Sequence, residues 1–353
     1  NIPHYLKDYN MIFSDILKLI LKEIFMGIKF LGTGRYIPDQ TITNDDLSKF
    51  LDTNDEWIRS RTGIAERHIS GWEPTWYMGL KASEKAIEKA GLSPLDIDMI
   101  IGCTVSSDFH TPAMASIIQG ELGASNAVAF DLNAACSGFV YAVDTARRFL
   151  ETDSSINHIL IAASENLSRI IDFSDRSTCI LFGDGAGAAV ITRSSTIYSS
   201  YLSSDGTGAR ALFARSVNAN KQFAVESDFD DKFEGSKMHS IYQNGKEVYR
   251  FAVKALPNAL TKAAEKLGLT TDDIDIIIPH QANQRIIETA AKALNVSMDK
   301  MFITLDKYGN TSSASIPIAL DTALEQNKIN SGDKLCLVGF GAGLTTGAVI
   351  MEY

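Results

Sequence analysis

Short apolar runs alternate with amphipathic stretches along most of the chain. The apolar runs predict strands over residues 28–32, 99–105, 127–130, 159–163 and 276–278. Helical spacing predicts helices over residues 81–90, 113–122, 139–146 and 262–267, and a glycine directly follows three of them. Residues 58–64 are polar and predict a loop. The regular alternation of strand and helix favours an α/β fold with buried strands between helical layers.

The second half of the chain repeats the pattern of the first half. The run GLSPLDIDMII at residues 91–101 matches GLTTDDIDIII at residues 268–278. A glycine-rich strand at residues 182–191, FGDGAGAAVI, has a counterpart, FGAGLTTGAVI, at residues 340–350. Two matches in the same order indicate a duplicated α/β unit.

The chain therefore divides into three segments: an N-terminal extension at residues 1–26, an N-terminal half at 27–195 and a C-terminal half at 196–353. The extension has an apolar stripe at helical spacing, but charged residues interrupt it, so it predicts neither a bilayer span nor a signal peptide. Because Met26 resembles a natural start, we interpret the residues before it as upstream or added sequence. The alternative is an amphipathic helix that packs on the body or on a partner.

Composition narrows the class of function. The chain has 353 residues, of which 45% are hydrophobic and 22% are charged, as in an ordinary globular protein. Its formal net charge of −10 argues against nucleic acid or an anionic membrane as the main partner. The four cysteines are scattered, which predicts neither a zinc site nor a disulfide framework and fits a reducing compartment. The six histidines show no paired spacing, so no metal site is expected.

One cysteine, one histidine and one asparagine stand at comparable turns. Cys136 lies where a predicted strand turns into a helix, and a helix N-terminus there is expected to favour thiolate over thiol. His280 follows the strand at 276–278, and Asn310 lies at a third predicted turn of this kind. Groups at such turns converge at one edge of an α/β sheet, which predicts an activated-thiol site. Taken singly, each also has a structural explanation: a buried cysteine, a helix cap and a turn residue.

Motifs around these residues resemble those of the 3-oxoacyl-[acyl-carrier-protein] synthase III family, condensing enzymes of the thiolase superfamily. The active-site matches are NAACSGF at residues 133–139, PHQANQRII at 279–287 and YGNTSSAS at 308–315. Further matches are DEWIRSRTGI at residues 55–64, DR at 175–176 and GAG at 341–343. The resemblance covers residues 27–353 and implies the thiolase-like fold, in which two duplicated α/β halves form a five-layered αβαβα sandwich.

Neighbouring families fit the residues less well. A thiolase would need a second catalytic cysteine in its C-terminal glycine loop, which here reads FGAGL. The elongating condensing enzymes use two histidines, and this chain has Asn310 in place of the second. Chalcone-synthase-like enzymes share the Cys-His-Asn set but not the pattern around Trp57 and Arg61.

The resemblance implies a role for each member of the set. Cys136 would accept the acyl group of an acyl-CoA primer such as acetyl-CoA, and the backbone N–H groups of Cys136 and Ala342 would bind the oxyanion. His280 and Asn310 would stabilise the enolate that forms when malonyl-acyl carrier protein loses CO₂. The product would be 3-oxoacyl-acyl carrier protein, which initiates fatty acid biosynthesis. No cofactor beyond these two substrates is expected.

The resemblance also implies ligand contacts and an assembly. The implied contacts are Trp57, Arg61 and Arg176 with the adenine and phosphates of CoA, Gly245 and Asn283 along the pantetheine channel, and Arg285 with the acidic carrier protein. Family members form homodimers in the bacterial cytoplasm, and the segment around Thr111 reaches into the partner subunit's acyl pocket. Many members carry Phe at that position, so the smaller Thr111 predicts room for a longer or branched primer.

Two other functions stay open from the sequence. One is a condensing enzyme or acyltransferase of secondary metabolism, of polyketide type, that uses the same Cys-His-Asn set. The other is an inactive, carrier-protein-binding paralogue, which the intact Cys136, His280 and Asn310 argue against.

Overall fold

Strands and helices alternate through residues 27–215, 233 and 240–353, which are the residues that the computed structural model describes. The strands are β1 Gly27–Tyr36, β2 Thr41–Thr43, β3 Glu66–His68, β4 Met99–Cys103, β5 Val128–Leu132, β6 Ile159–Glu165, β7 Gly185–Ser194, β8 Tyr198–Ser204, β9 Leu212–Ala214, β10 Ile241–Gln243, β11 Ile276–Pro279, β12 Lys334–Gly341 and β13 Thr345–Glu352. The helices are α1 Asn44–Ser48, α2 Asp55–Thr62, α3 Thr75–Ala90, α4 Met114–Leu122, α5 Gly138–Thr152, α6 Arg176–Cys179, α7 Gly245–Glu265, α8 Gln284–Leu294, α9 Leu305–Tyr308 and α10 Ser315–Glu325. The predicted N-terminal extension lies outside the described residues.

Two sheets and three helical layers build the body of the molecule. The first sheet has the strand order β1-β7-β6-β4-β5, and the second has the order β8-β13-β12-β11. Helices α5 and α10 lie between the sheets, and their apolar residues share one core with strands of both sheets. Helices α3 and α4 cover the outer face of the first sheet, and α7 and α8 cover the outer face of the second. This is the five-layered αβαβα sandwich that the family resemblance implies.

The duplication is visible in the pairing of the strands. Strand β4 runs parallel to β6, which runs antiparallel to β7; in the second sheet β11, β12 and β13 pair in the same way. The repeated sequence before β4 and β11 folds into the same short turn each time, closed by a capping box at Ser93 and at Thr270. In the second sheet the counterpart of β5 is reduced to a single bridge between Met301 and Ile277. The predicted boundary between the halves falls between β7 and β8 and remains a prediction.

The loop predicted over residues 58–64 is wrong. Residues 58–64 are not a loop, because most of them belong to helix α2. The Asn54 side chain caps the helix by accepting a hydrogen bond from the backbone N–H of Trp57, and Gly63 ends it with a left-handed φ of 84°. Ile58 is fully buried and anchors the helix to the body. Three of the polar residues in this stretch, Arg59, Ser60 and Arg61, form the exposed face of the helix.

None of the helices in the described part of the chain is long and apolar enough to cross a membrane. All four cysteines lie in that part, and each is free and buried.

Candidate active site

The turn that carries Cys136 connects β5 to α5. A single 3₁₀ turn, Ala135–Ser137, carries Cys136, and α5 begins at Gly138 immediately afterwards. Ala135 adopts a left-handed φ of 48°, which turns the chain sharply at this point. Strand β12 passes close behind it: a Cβ atom on Gly341 would lie 2.6 Å from the Cys136 backbone nitrogen. Glycine at position 341 therefore allows the two halves to meet at the cysteine.

His280 follows β11 and is buried. Its backbone N–H donates to the carbonyl of Val338 on β12, at 2.8 Å. Its Nδ1 atom lies 2.7 Å from the Ser315 hydroxyl, and its ring packs edge-on against Phe340 with centroids 5.4 Å apart. The imidazole is thus fixed on both sides by neighbours from the second half.

Asn310 lies between two helices, not at a strand-to-helix turn as predicted. Helix α9 precedes it, and its backbone forms an isolated bridge with Phe182 of the first half. Its side-chain Oδ1 accepts a hydrogen bond of 2.9 Å from the Ser312 backbone N–H. That contact leaves the Nδ2 group as the donor available to a bound substrate.

The three predicted residues line one cleft. Cys136, His280 and Asn310 share the wall of a cleft of about 1040 Å³ that opens to the surface. A second cavity of about 480 Å³ meets the first at Cys136 and is lined largely by apolar side chains, among them Leu167 and Ile170. Ala342 borders this second cavity, in the turn that follows β12. A thioester reaching Cys136 through the cleft has space beyond the sulfur for its acyl chain.

The resting thiol of Cys136 is neutral. Burial raises the pKa of the Cys136 thiol to about 12, although the Ser312 hydroxyl donates a 3.4 Å hydrogen bond to its sulfur and acts in the opposite direction. The nearby Glu165 carboxylate also raises the pKa of this thiol. The prediction that the helix N-terminus favours thiolate is therefore wrong for the resting site, because desolvation outweighs it.

His280 is neutral as well. Burial lowers the pKa of its imidazole to about 3, because the charged ring would lose its hydration without gaining a partner of opposite charge. The site thus presents a neutral thiol and a neutral imidazole. Such a site stabilises developing negative charge by hydrogen bonding.

A buried carboxylate lies near Cys136. Glu165, the last residue of β6, is fully buried, and burial raises the pKa of its carboxyl group. Its Oε2 atom accepts hydrogen bonds from the Ser106 hydroxyl at 2.6 Å and the Val105 N–H at 3.0 Å. Its Oε1 atom accepts one from the Ser313 hydroxyl at 2.6 Å. Glu165 thereby ties the first half to the segment that carries Asn310.

The predicted CoA residues gather at the mouth of the cleft. Trp57 and Arg61 both project from helix α2 and line the cleft. The Arg176 guanidinium lies 4.8 Å from the centre of the Trp57 ring, and that of Arg61 lies 6.0 Å from it. A flat aromatic ring flanked by two cations suits an adenine with phosphates attached.

The second half supplies the opposite side of the mouth. Gly245, Asn283 and Arg285 all line the cleft. The Asn283 amide donates to the Arg61 carbonyl at 3.1 Å, and Arg285 Nε donates to the Ser60 carbonyl at 3.0 Å. These bonds join helix α2 to helix α8 across the entrance.

Thr111 lies apart from the other predicted residues. It is exposed on the surface of the chain and lines neither the cleft nor the second cavity. Within a single chain it therefore does not reach the acyl space.

The sequence does not reveal the partners of Cys136, His280 and Asn310. Nothing in the sequence distinguishes Glu165, and Ser312, Ser313 and Ser315 lie inside the motif at residues 308–315 with no signal of their own. The small polar side chains in the run 310–315 indicate functional contacts only once their partners in the folded chain are known. Lys246 and Arg250, at the start of α7, also line the cleft and were not predicted.

Comparison with known proteins identifies relatives over nearly the whole chain. The profile described as 3-oxoacyl-[acyl-carrier-protein] synthase III matches residues 130–206, and the profile of its C-terminal part matches residues 264–353. The beta-ketoacyl-[acyl-carrier-protein] synthase III of Clostridium acetobutylicum is 46% identical over 93% of this chain and 99% of its own.

Solved structures agree with these matches. The 3-oxoacyl-[acyl-carrier-protein] synthase III of Aquifex aeolicus VF5 superposes with a TM-score of 0.84 at 40% identity, over 93% of this chain and 100% of that one. The priming β-ketosynthase of the R1128 polyketide biosynthetic pathway superposes with a TM-score of 0.83 at 35% identity, over 93% of this chain and 97% of that one.

Proposed function

This chain belongs to the 3-oxoacyl-[acyl-carrier-protein] synthase III family, and from that premise we propose that Cys136, His280 and Asn310 are its catalytic residues. It is an acyltransferase that condenses an acyl-CoA primer with malonyl-acyl carrier protein and so initiates fatty acid synthesis. The observation that carries the assignment of residues is their position together on one cleft, next to a cavity that continues past the sulfur.

The first half-reaction is acyl transfer to Cys136. The cysteine sulfur attacks the thioester carbonyl of the primer, and CoA leaves as the thiol, so the proton lost by Cys136 ends on CoA. The backbone N–H groups of Cys136 and Ala342 would donate hydrogen bonds to the oxyanion of the tetrahedral intermediate. The apolar second cavity takes the acyl chain.

The second half-reaction is decarboxylation followed by condensation. As CO₂ leaves the malonyl group, negative charge grows on the thioester oxygen, and His280 and Asn310 donate hydrogen bonds to it. The enolate carbon then attacks the acyl-Cys136 thioester, which releases 3-oxoacyl-acyl carrier protein and restores the thiol. The decarboxylation itself generates the nucleophile and changes no oxidation state of the enzyme, so we propose that no metal or cofactor takes part.

The mouth of the cleft suits two polyanionic substrates. Trp57 with Arg61 and Arg176 would hold the adenine and phosphates of CoA, and Gly245 and Asn283 would flank its pantetheine arm. Arg285, together with Lys246 and Arg250, makes the entrance locally basic in a chain whose net charge is −10. A local basic rim would steer an acidic carrier protein to the entrance.

We propose that the enzyme is a homodimer joined along strand β5 and that it works in the cytoplasm, where its free cysteines stay reduced. Strand β5 forms the open edge of the first sheet, and its first residue, Val128, is 60% exposed. An exposed strand edge favours pairing with another strand. In such a dimer the surface-exposed Thr111 would contact the partner's acyl cavity rather than its own.

The test is the intact mass of the enzyme after incubation with acetyl-, isobutyryl- or octanoyl-CoA. An acyl adduct on the wild type and none on Cys136→Ala identifies the nucleophile and ranks the primers. Addition of malonyl-acyl carrier protein should then remove the adduct and yield 3-oxoacyl-acyl carrier protein. An adduct that persists with malonyl-acyl carrier protein but discharges to another acceptor would favour a polyketide-type role, and no adduct with any primer would overturn the assignment of Cys136.

A further inference from the structure

One short segment contacts every reactive group of the site. Within residues 310–315, Asn310 lines the cleft, Ser312 contacts the Cys136 sulfur, Ser313 contacts Glu165 and Ser315 contacts His280. The roles proposed above do not explain why a hydroxyl group, that of Ser315, contacts the His280 ring. Ser315 is the first residue of α10 and is buried, as is His280.

The direction of the Ser315–His280 hydrogen bond follows from its neighbours. The backbone N–H of Gln281 donates to the Ser315 hydroxyl oxygen at 3.3 Å, so this oxygen already acts as an acceptor. A hydroxyl has a single proton to donate. Among the residues that the structure describes, His280 Nδ1, at 2.7 Å, is the acceptor within hydrogen-bond distance of that hydroxyl. The proton of Ser315 is therefore directed at Nδ1.

A neutral imidazole that accepts at Nδ1 carries its own proton on Nε2. The backbone of His280 is fixed by Val338, and its ring is confined by Phe340, so the ring cannot turn over without losing these contacts. The edge of the ring that carries Nε2 lies opposite Ser315. His280 thus offers an N–H donor, not a lone pair, to the cleft it shares with Cys136 and Asn310.

We propose that Ser315 is a positioning residue that holds His280 in its Nε2–H tautomer. His280 then acts as a hydrogen-bond donor to the enolate oxygen during decarboxylation and does not serve as the base for the Cys136 thiol. This inference rests on the proposed function, because it assigns a role to Ser315 through His280. It also predicts that the two half-reactions depend on Ser315 to different extents.

The experiment compares Ser315→Ala and Ser315→Thr in the two half-reactions separately. For Ser315→Ala we expect acyl-Cys136 formation from acetyl-CoA to stay within about 3-fold of wild type, because that step uses backbone donors. Decarboxylation of malonyl-acyl carrier protein should fall by about 10- to 100-fold, somewhat less than the loss expected when an oxyanion donor is removed outright. Ser315→Thr keeps the hydroxyl and should retain decarboxylation within about 3-fold. Ser83→Ala, which removes a buried helix hydroxyl bonded to the Gly79 carbonyl, is the matched control.

Nitrogen-15 NMR of histidine-labelled enzyme reads the tautomer directly. The wild type should show His280 with a protonated Nε2 and an unprotonated Nδ1, assigned by comparison with His280→Gln, and Ser315→Ala should show a mixture of the two forms. A wild-type spectrum with the proton on Nδ1 would overturn the proposal, and so would a Ser315→Ala enzyme that decarboxylates at the wild-type rate.

A separate variant keeps this inference distinct from the proposed function. If His280→Ala itself decarboxylates normally, the role proposed for His280 fails. If His280→Ala loses decarboxylation while Ser315→Ala keeps it and keeps its stability, only the role of Ser315 fails.

Discussion

The Ser312 hydroxyl donates a hydrogen bond of 3.4 Å to the sulfur of Cys136, across 176 positions of sequence. The two residues lie in turns that the duplication makes equivalent, each a 3₁₀ turn before a helix of the central layer. Each turn also includes a residue with nearly the same left-handed φ, 48° at Ala135 and 49° at Ser312. The duplicated fold therefore places the turn of one half against the equivalent turn of the other, where Cys136 lies.

Removing the Ser312 hydroxyl should make the thiol harder to ionise. A hydrogen bond worth about 1 kcal/mol to the thiolate corresponds to about 0.7 pKa units, so Ser312→Ala should slow alkylation of Cys136 about 5-fold at a fixed pH near 8. The measurement is the rate of iodoacetamide addition by intact mass across a pH series. Ser83→Ala should alkylate like wild type, and an unchanged pH series for Ser312→Ala would show that the contact does not tune the thiol.

Loss of Glu165 should destabilise the fold. Glu165→Ala leaves the Ser106 and Ser313 hydroxyls and the Val105 N–H without their acceptor in a dry interior, and we expect a cost of about 3 kcal/mol. Glu165→Gln keeps one oxygen acceptor and should cost roughly half as much. Urea unfolding monitored by circular dichroism gives the comparison. The exposed Glu121 supplies the control: Glu121→Ala should lie within about 0.5 kcal/mol of wild type, and a Glu165→Ala protein of equal stability would contradict the structure.

The neutral His280 should make stability depend on pH. Its pKa is about 3 in the folded protein and near 6.5 in the unfolded chain, so below pH 6.5 the unfolded chain binds a proton that the folded protein excludes. Stability is therefore lost as the pH falls from 6.5 towards 3. Between pH 7 and pH 4 the wild type should lose about 3 kcal/mol more than His280→Gln, since one pKa unit corresponds to about 1.4 kcal/mol. Urea unfolding at each pH measures these losses. If the wild type and His280→Gln lose the same free energy of unfolding, the His280 ring is not buried in its neutral form.

Trp57 should contribute to CoA affinity. Loss of the ring that Arg61 and Arg176 flank should weaken CoA binding by about 1–2 kcal/mol, or roughly 5- to 30-fold, in Trp57→Ala. Isothermal titration with CoA measures the change. Trp72 is 70% exposed and lies outside the cleft, so Trp72→Ala should bind CoA like wild type. If Trp57→Ala and Trp72→Ala bind CoA with equal affinity, Trp57 does not contribute to the CoA site.

A charge on strand β5 should dissociate the proposed dimer. Val128→Glu would place like charges near each other where two β5 edges pair, and it should shift the protein to monomers in analytical ultracentrifugation. Phe50 is 60% exposed in the segment between helices α1 and α2, so Phe50→Glu is the matched control and should stay dimeric. A dimeric Val128→Glu protein, or a monomeric wild type, would reject β5 as the interface.

Much of the architecture could be predicted because its signals are local or repeated. Apolar runs and the glycines that follow helices are signals that depend on only a few neighbouring residues. The sequence repeat before β4 and β11 indicates two copies of one structural unit. The prediction failed at helix α2, because its helical character rests on an Asn54 cap and on the burial of Ile58, and a polar sequence does not reveal which of its faces will be covered.

Within the site, the sequence by itself determined only which residues to consider, because the motifs around Cys136, His280 and Asn310 are local. The tertiary structure alone decided their ionisation, because a pKa depends on how much water packing removes, and burial reversed the expectation for Cys136. It alone decided that Ser312 and Ser315 contact Cys136 and His280, and that Thr111 lies outside the cleft of its own chain. Both serine contacts join residues distant in sequence, and the contact of Ser312 with Cys136 exists only after the two halves pack together, so no spacing along the chain encodes them.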